Sequence, residues 1–143
     1  MDNIGYLLMK VSKDLKYTLS TKLLQYDLTT AQWSVLKCLD LEEKQHTTLI
    51  RRTAVELAAK LDFDKPTISG ILKRLADKGM IVKESHPHDR RASVIVLTEK
   101  ARGLIPILEQ ISDSIIEESL QSFDQEEKEL FIMYLKKMDA SLS

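Results

Sequence analysis

Residues 54–98 constrain this chain more than any other stretch. A basic helical pattern from Asp64 to Lys78 is followed at once by two short apolar, β-branched runs, residues 80–84 and 94–97, which have the length and composition of strands. The polar segment between them, residues 85–93, is too long for a tight turn, so an extended hairpin is expected, with Asp89, Arg90 and Arg91 at its tip. Asp64 is a favourable N-cap and Pro66 suits a first turn. Ile68, Leu72 and Leu75 form the inward stripe, with Ile71 alongside, and Gly79 stands just past the helix end, where a left-handed residue is favoured. The preceding residues 52–61 give a third helix with Val55, Leu57, Ala58 and Leu61 inward. A link as short as Asp62-Phe63 between two such helices makes a helix-turn-helix candidate.

The flanks are helical. Ile4, Leu7, Leu8, Val11, Leu15, Leu19 and Leu23 recur at spacings of three and four, which predicts an amphipathic helix within residues 3–26. Thr29 is the N-cap expected for a second helix whose apolar face is Trp33, Leu36 and Leu39, with Val35 alongside. Residues 42–50 read as a polar loop. Thr98 caps a long helix with Leu104, Ile105, Leu108, Ile111 and Ile115 inward, and Pro106 within it predicts a kink. Asp124 with Glu127 is a capping-box variant opening a last helix that carries Leu130, Phe131, Tyr134, Leu135, Met138 and Leu142. A small hairpin-and-helix module needs no such long apolar flanks for its own core, so these faces are expected to pack against a second copy.

Charged residues make up 30% and hydrophobic residues 43% of the 143, which fits one folded domain rather than a disordered chain. Net charge is −1, so the whole chain does not mark a polyanion partner, but its distribution is uneven. Residues 60–102 hold ten Lys/Arg against six Asp/Glu, and residues 103–143 hold three against nine. A basic centre and an acidic tail suggest that one face meets phosphate and another stays away from it. One cysteine, Cys38, excludes an internal disulfide framework, and the N-terminal apolar run is too short for a signal-peptide core or a membrane span. A cytoplasmic location with no membrane partner is expected.

The fourth helix leaves Lys65, Thr67, Ser69, Gly70, Lys73 and Arg74 away from its apolar stripe. Such residues can meet base edges and phosphates in a major groove, and Gly70 permits close backbone approach; an ordinary solvated helix face is the plainer alternative. In the hairpin tip, Arg91 can enter a narrow minor groove, Arg90 can touch the backbone, and Asp89 is suited to holding the loop by accepting from loop amides or from an arginine such as Arg74 or Arg91. Tyr6, Tyr17, Tyr26 and Trp33 could line an aromatic effector pocket, with Tyr6, Tyr17 and Trp33 as the named candidates; core and interface packing is the simpler role. His86 and His88 lack a third and fourth ligand nearby, so no metal or cofactor is expected, and His46 is an ordinary loop residue. No phosphate-cradling loop, nucleophile elbow or zinc-helix motif occurs, so no enzyme is expected.

Residues 28–36 (Leu-Thr-Thr-Ala-Gln-Trp-Ser-Val-Leu) resemble the opening of the second helix of MarR-family regulators. Residues 64–75 followed by Lys78-Gly79-Met80-Ile81 resemble that family's recognition helix and its exit. Asp89-Arg90-Arg91 and then residues 94–98 resemble its Asp-x-Arg wing and the strand after it. The resemblance implies a mainly α chain with a small β-hairpin wing: a winged helix-turn-helix domain at 28–98, flanked by dimerisation helices at 1–27 and 99–143. It further implies a homodimer that represses transcription from a palindromic operator in double-stranded DNA. Many members release DNA when a small phenolic or other apolar effector binds between the dimer and DNA-binding parts. Two features depart from the pattern: a longer loop at 42–52, and Pro66 where Ser is common. The peroxide-sensing branch carries its reactive cysteine in the first helix, which here has none, so Cys38 is expected to be a partly buried, inert thiol. The competing class is an interaction module, an antirepressor or adaptor that keeps the fold without binding DNA.

Overall fold

The computed structural model describes residues 3–45 and 52–143. The order is α1 (Ile4–Leu23), a 3-10 turn (Leu24–Tyr26), α2 (Thr30–Lys44), α3 (Ala54–Leu61), α4 (Lys65–Asp77), β1 (Ile81–Ser85), β2 (Ser93–Leu97), α5 (Glu99–Ser119) and α6 (Gln125–Leu142). The expected mainly helical fold with a hairpin wing is what forms. Its helix starts are set by local chemistry. Thr29 and Gln32 form a reciprocal capping box on α2, Asp124 and Glu127 do the same on α6, and Thr53, Asp64 and Thr98 cap α3, α4 and α5. Among the described residues no helix is long and apolar enough to cross a membrane.

The core forms where the inward stripes of these helices meet the buried side of the hairpin. Leu23, Leu28, Leu36, Leu39, Leu57, Ile68, Leu72 and Leu75 are buried with Ile81, Ile95, Leu97, Ile105 and Leu108. The hairpin is antiparallel, pairing Ile81 with Leu97 and Ser85 with Ser93, and Thr53 adds an isolated bridge to Val94. Gly79 takes φ 72° just past α4, and the Met80 N–H closes back on the Leu75 carbonyl at 2.9 Å, so the chain turns out of α4 directly into β1.

The end of α4 is fixed to both flanks. Lys78 Nζ donates to the Asp27 carbonyl and, at 2.9 Å, to Gln32 Oε1. The Thr98 hydroxyl donates to the Gly79 carbonyl at 2.6 Å, and Lys100 Nζ donates to the Lys78 carbonyl at 2.8 Å. These contacts tie α4 to the α1–α2 corner and to the start of α5.

Several expectations change. The third helix begins at Ala54, not 52, because Thr53 is extended and caps it, and the carbonyl of residue 52 accepts from the Ile95 N–H at 2.7 Å. Val55 points outward at 77% exposure: it lies about 200° around the helix from Leu57, which is buried. The second helix runs on to Lys44 instead of ending before a loop at 42, and Glu42 is buried there in an ion pair with Lys60 of α3. Residues 46–51, which include His46 and most of the long loop expected at 42–52, lie outside the described residues.

Much of the terminal apolar surface is left open by a single chain. Ile4, Leu7, Leu8 and Val11 of α1 are exposed, and α6 has no buried residue although Leu130, Phe131, Tyr134, Leu135 and Met138 lie along it.

Where α2 meets α5, Lys37 Nζ and Glu109 Oε1 are 2.6 Å apart. The hydrogen bond from Lys37, aided by the charges of Lys37 and Lys44 and opposed by burial, holds Glu109 below the ordinary glutamate value of 4.5. A depressed carboxylate contributes stability that is fully present above its unfolded value and is lost as pH falls through its folded value. Glu109→Gln should therefore cost roughly 0.5–1 kcal/mol at neutral pH. The gap to wild type should close as pH is lowered below 4.5. Urea unfolding at pH 7 and pH 4 checks this; a gap that stays constant would contradict it.

Candidate nucleic-acid interface

The surface in question is built by α3, α4 and the hairpin. Asp64 accepts from the Thr67 N–H at 2.7 Å, which starts α4 cleanly and leaves Pro66 in the first turn, where its missing donor costs nothing. Hydrogen bonds from Thr67, side chain first and then backbone, hold the Asp64 carboxyl below its ordinary value. Thr67 thus serves the cap as well as the surface. With Ile68, Ile71, Leu72 and Leu75 buried, Lys65, Thr67, Ser69, Lys73 and Arg74 are all exposed, as their positions on the helix required. Gly70 is half-buried, and a Cβ there would meet nothing within 4 Å.

Between α3, α4 and β1 runs a cleft of about 390 Å³ with Ile68 and Leu72 at its apolar floor and Val55, Ala58, Lys65, Ser69 and Lys83 around it. A second hollow of about 290 Å³ is lined by Val55 and Lys83 together with Arg91 of the tip. Val55 and Lys83 line both, so the start of α3, the N-terminal half of α4 and the wing share one open, cationic face. Lys83 was not among the residues singled out from sequence. It shares a strand face with the buried Ile81 and pairs with the buried Ile95, yet is itself exposed, so strand alternation would have assigned it to the core side and not to this surface.

At the tip, Arg90 and Arg91 are exposed. Asp89 Oδ1 accepts from the Arg91 N–H at 2.9 Å, and the Asp89 carbonyl accepts from the Ala92 N–H at 3.2 Å. Of the partners weighed for Asp89, it is the loop amides that it binds. His86 Nδ1 accepts from the N–H groups of both His88 and Asp89 at 3.0 Å, and the two imidazoles stack edge to face at 6.2 Å. Among the described residues no group of three or more His, Cys, Asp or Glu is arranged to hold a metal ion.

The three aromatic effector candidates do not come together. Trp33, 7% exposed, lines a cavity of about 680 Å³ between α1, α2 and α3, together with Leu19, Cys38, Leu61 and Phe63, and with Lys16 and Lys60 also in the lining. Tyr6 and Tyr17 do not line it and are exposed on α1. Tyr17 is two residues from Leu15 and Leu19, which puts it on the opposite side of the helix from them. Tyr26 packs half-buried against the core. Burial pushes the Cys38 thiol up from 9.0 and outweighs the opposing pull of the Lys60 charge, which disfavours the thiolate.

Residues 26–92 match the MarR family. The whole chain is similar to MepR of S. aureus in a complex with DNA, at 28% identity over 100% of both chains with a TM-score of 0.82. It is also similar to a structure of MepR described as a transcription regulator of the Staphylococcus aureus multidrug efflux pump MepA, at 27% identity over 99% of this chain and 100% of that one, TM-score 0.77. Wild-type MarR from E. coli shares the fold at 23% identity, covering 96% of this chain and 97% of the other, TM-score 0.81.

Proposed function

We propose that the chain is a DNA-binding transcriptional regulator of the MarR family, whose model matches residues 26–92, and that it acts as a homodimer that represses transcription from a palindromic operator and releases it in response to a small apolar or phenolic effector. The observation that carries this reading is the shared cationic face of α3, α4 and the wing, with Lys65, Ser69, Lys83 and Arg91 around it. In this reading α4 enters a major groove through Lys65, Thr67, Ser69, Gly70, Lys73 and Arg74. The wing lays Arg91 in the flanking minor groove, where negative potential is concentrated, and Arg90 against the backbone. Asp89 holds the tip. The open apolar sides of α1 and α6 pair with those of a second copy, so that residues 1–27 and 99–143 serve dimerisation and 28–98 serve DNA binding.

Two identical reading heads joined by a two-fold axis call for half-sites centred roughly 34 Å apart, about one helical turn. Selecting duplexes from a random pool with the pure protein at fixed salt tests this. A palindrome of that spacing is expected, whereas no enriched duplex would favour the interaction-module class. Each phosphate contact should add about −0.9 to the log–log salt slope.

Arg91→Ala should weaken binding of the selected duplex by about 1–3 kcal/mol while the dimer persists. Anisotropy titration checks the affinity and sedimentation the dimer; unchanged affinity would remove the wing from the mechanism. The proposal for the effector rests on the 680 Å³ cavity at Trp33, which is of ligand size and lies between α1 and the helix-turn-helix. A ligand there that prefers one angle between α1 and the reading head shifts the population towards or away from a spacing that fits DNA.

A further inference from the structure

The wing tip closes on two side-chain acceptors. One is Asp89, anticipated from sequence. The other is His86, whose Nδ1 receives the backbone N–H groups of His88 and Asp89 at 3.0 Å each, while the His86 N–H donates to the Ala92 carbonyl at 3.3 Å. A ring nitrogen that accepts carries no proton, so this geometry requires the neutral tautomer with hydrogen on Nε2. Arg90 and Arg91 follow directly on the turn that these bonds fix. We infer that His86 is the positioning residue of the wing: its neutral imidazole fixes the turn that presents Arg91, and protonation of the ring releases that turn. With a proton on Nδ1 the acceptor becomes a donor facing two N–H groups, and both bonds are lost.

Only the neutral imidazole can accept both bonds, so a step to mild acid, the range in which histidine side chains ordinarily gain charge, is the direct probe of the turn. Of the hairpin's titratable and charged groups, His88 stacks edge to face on His86 and Asp89 follows in the same turn; Lys83, Glu84, Arg90 and Arg91 are its other charged neighbours along the chain, and β2 carries none. The sign of the effect is diagnostic. An extra positive charge on a face that meets phosphate should by itself strengthen binding, whereas loss of the turn weakens it.

The inference rests on the DNA-binding reading of the wing, and the test separates the two. Affinity for the duplex recovered by selection is measured at pH 7.5 and pH 5.5 at fixed salt. Wild type should bind about tenfold more weakly at the lower pH, the scale of losing two neutral hydrogen bonds. His86→Asn supplies an untitratable oxygen that accepts from residues two and three positions on, as in an Asx-turn. It should match wild type at pH 7.5 and keep that affinity at pH 5.5. His86→Ala should be weak at both, and His88→Asn should show the wild-type drop. An equal drop in His86→Asn, or wild-type affinity in His86→Ala at pH 7.5, would overturn the inference. A second measurement needs no DNA: in a His88→Asn background, which removes the other imidazole, the amide ¹⁵N–¹H signals of residue 88 and Asp89 in the free protein should shift between the two pH values, and should stay in place once His86→Asn is added. Failure of wild type to bind any duplex at pH 7.5 would sink the DNA reading, and immobile amide signals would sink the role of His86.

Discussion

Leu72→Ala should lower the free energy of unfolding by about 2–5 kcal/mol. Leu72 is 1% exposed and faces inward from α4 with Ile68 and Leu75, at the floor of the cleft between α3 and α4, so the removed atoms leave a void beneath that helix. The loss combines the forfeited burial with the void that the neighbours do not fill. It also loosens the seat of the helix whose outer side carries Lys65, Ser69 and Lys73. Urea unfolding at fixed protein concentration, with an unchanged slope, measures it. A loss below about 1 kcal/mol would mean that α4 is not held by this stripe.

Leu135→Asp should dissociate the homodimer. Leu135 lies on α6, a helix of 18 residues with none buried in its own chain, beside the open Phe131 and Met138. In a two-fold interface each residue acts twice. Loss of two buried leucines is worth about 3–6 kcal/mol, two to four orders of magnitude in the dissociation constant, before the cost of burying a carboxylate is added. Sedimentation over a dilution series checks the mass, and helical circular dichroism checks that the chain still folds. Duplex affinity should fall together with the dimer, because one reading head makes half the contacts. A variant that sediments like wild type would place the partner surface elsewhere.

Much of this architecture could be read from the residues because its rules are local. Thr29, Asp64, Thr98 and Asp124 each cap the helix expected of them, since a side-chain oxygen beside the free first-turn amides is decided by near neighbours. The stripe at Ile68, Leu72 and Leu75 fixed which side of α4 stays open, and with it the exposure of Lys65, Ser69 and Arg74. The misreadings come from short elements and distant partners. A helix as short as α3 offers two turns of pattern, too few to tell that Val55 faces out. Glu42 reads as loop-like and polar, yet α2 continues through it, and Lys60, eighteen positions later, pairs with its buried carboxylate. Tyr6 and Tyr17 share only residue type with Trp33, and for Tyr17 the two-residue spacing from half-buried Leu15 and Leu19 already puts it on the far side of α1. The role of His86 depends on the turn bringing two amides to one ring nitrogen, which no spacing in the sequence encodes.

The central claim is that two copies of this chain, joined through their terminal helices, read one duplex together. The mass of the complex with the selected duplex, measured by light scattering coupled to size exclusion at low salt, tests it most directly. Two chains per duplex is the expected result. A single chain per duplex, or free protein and free DNA emerging separately, would contradict it.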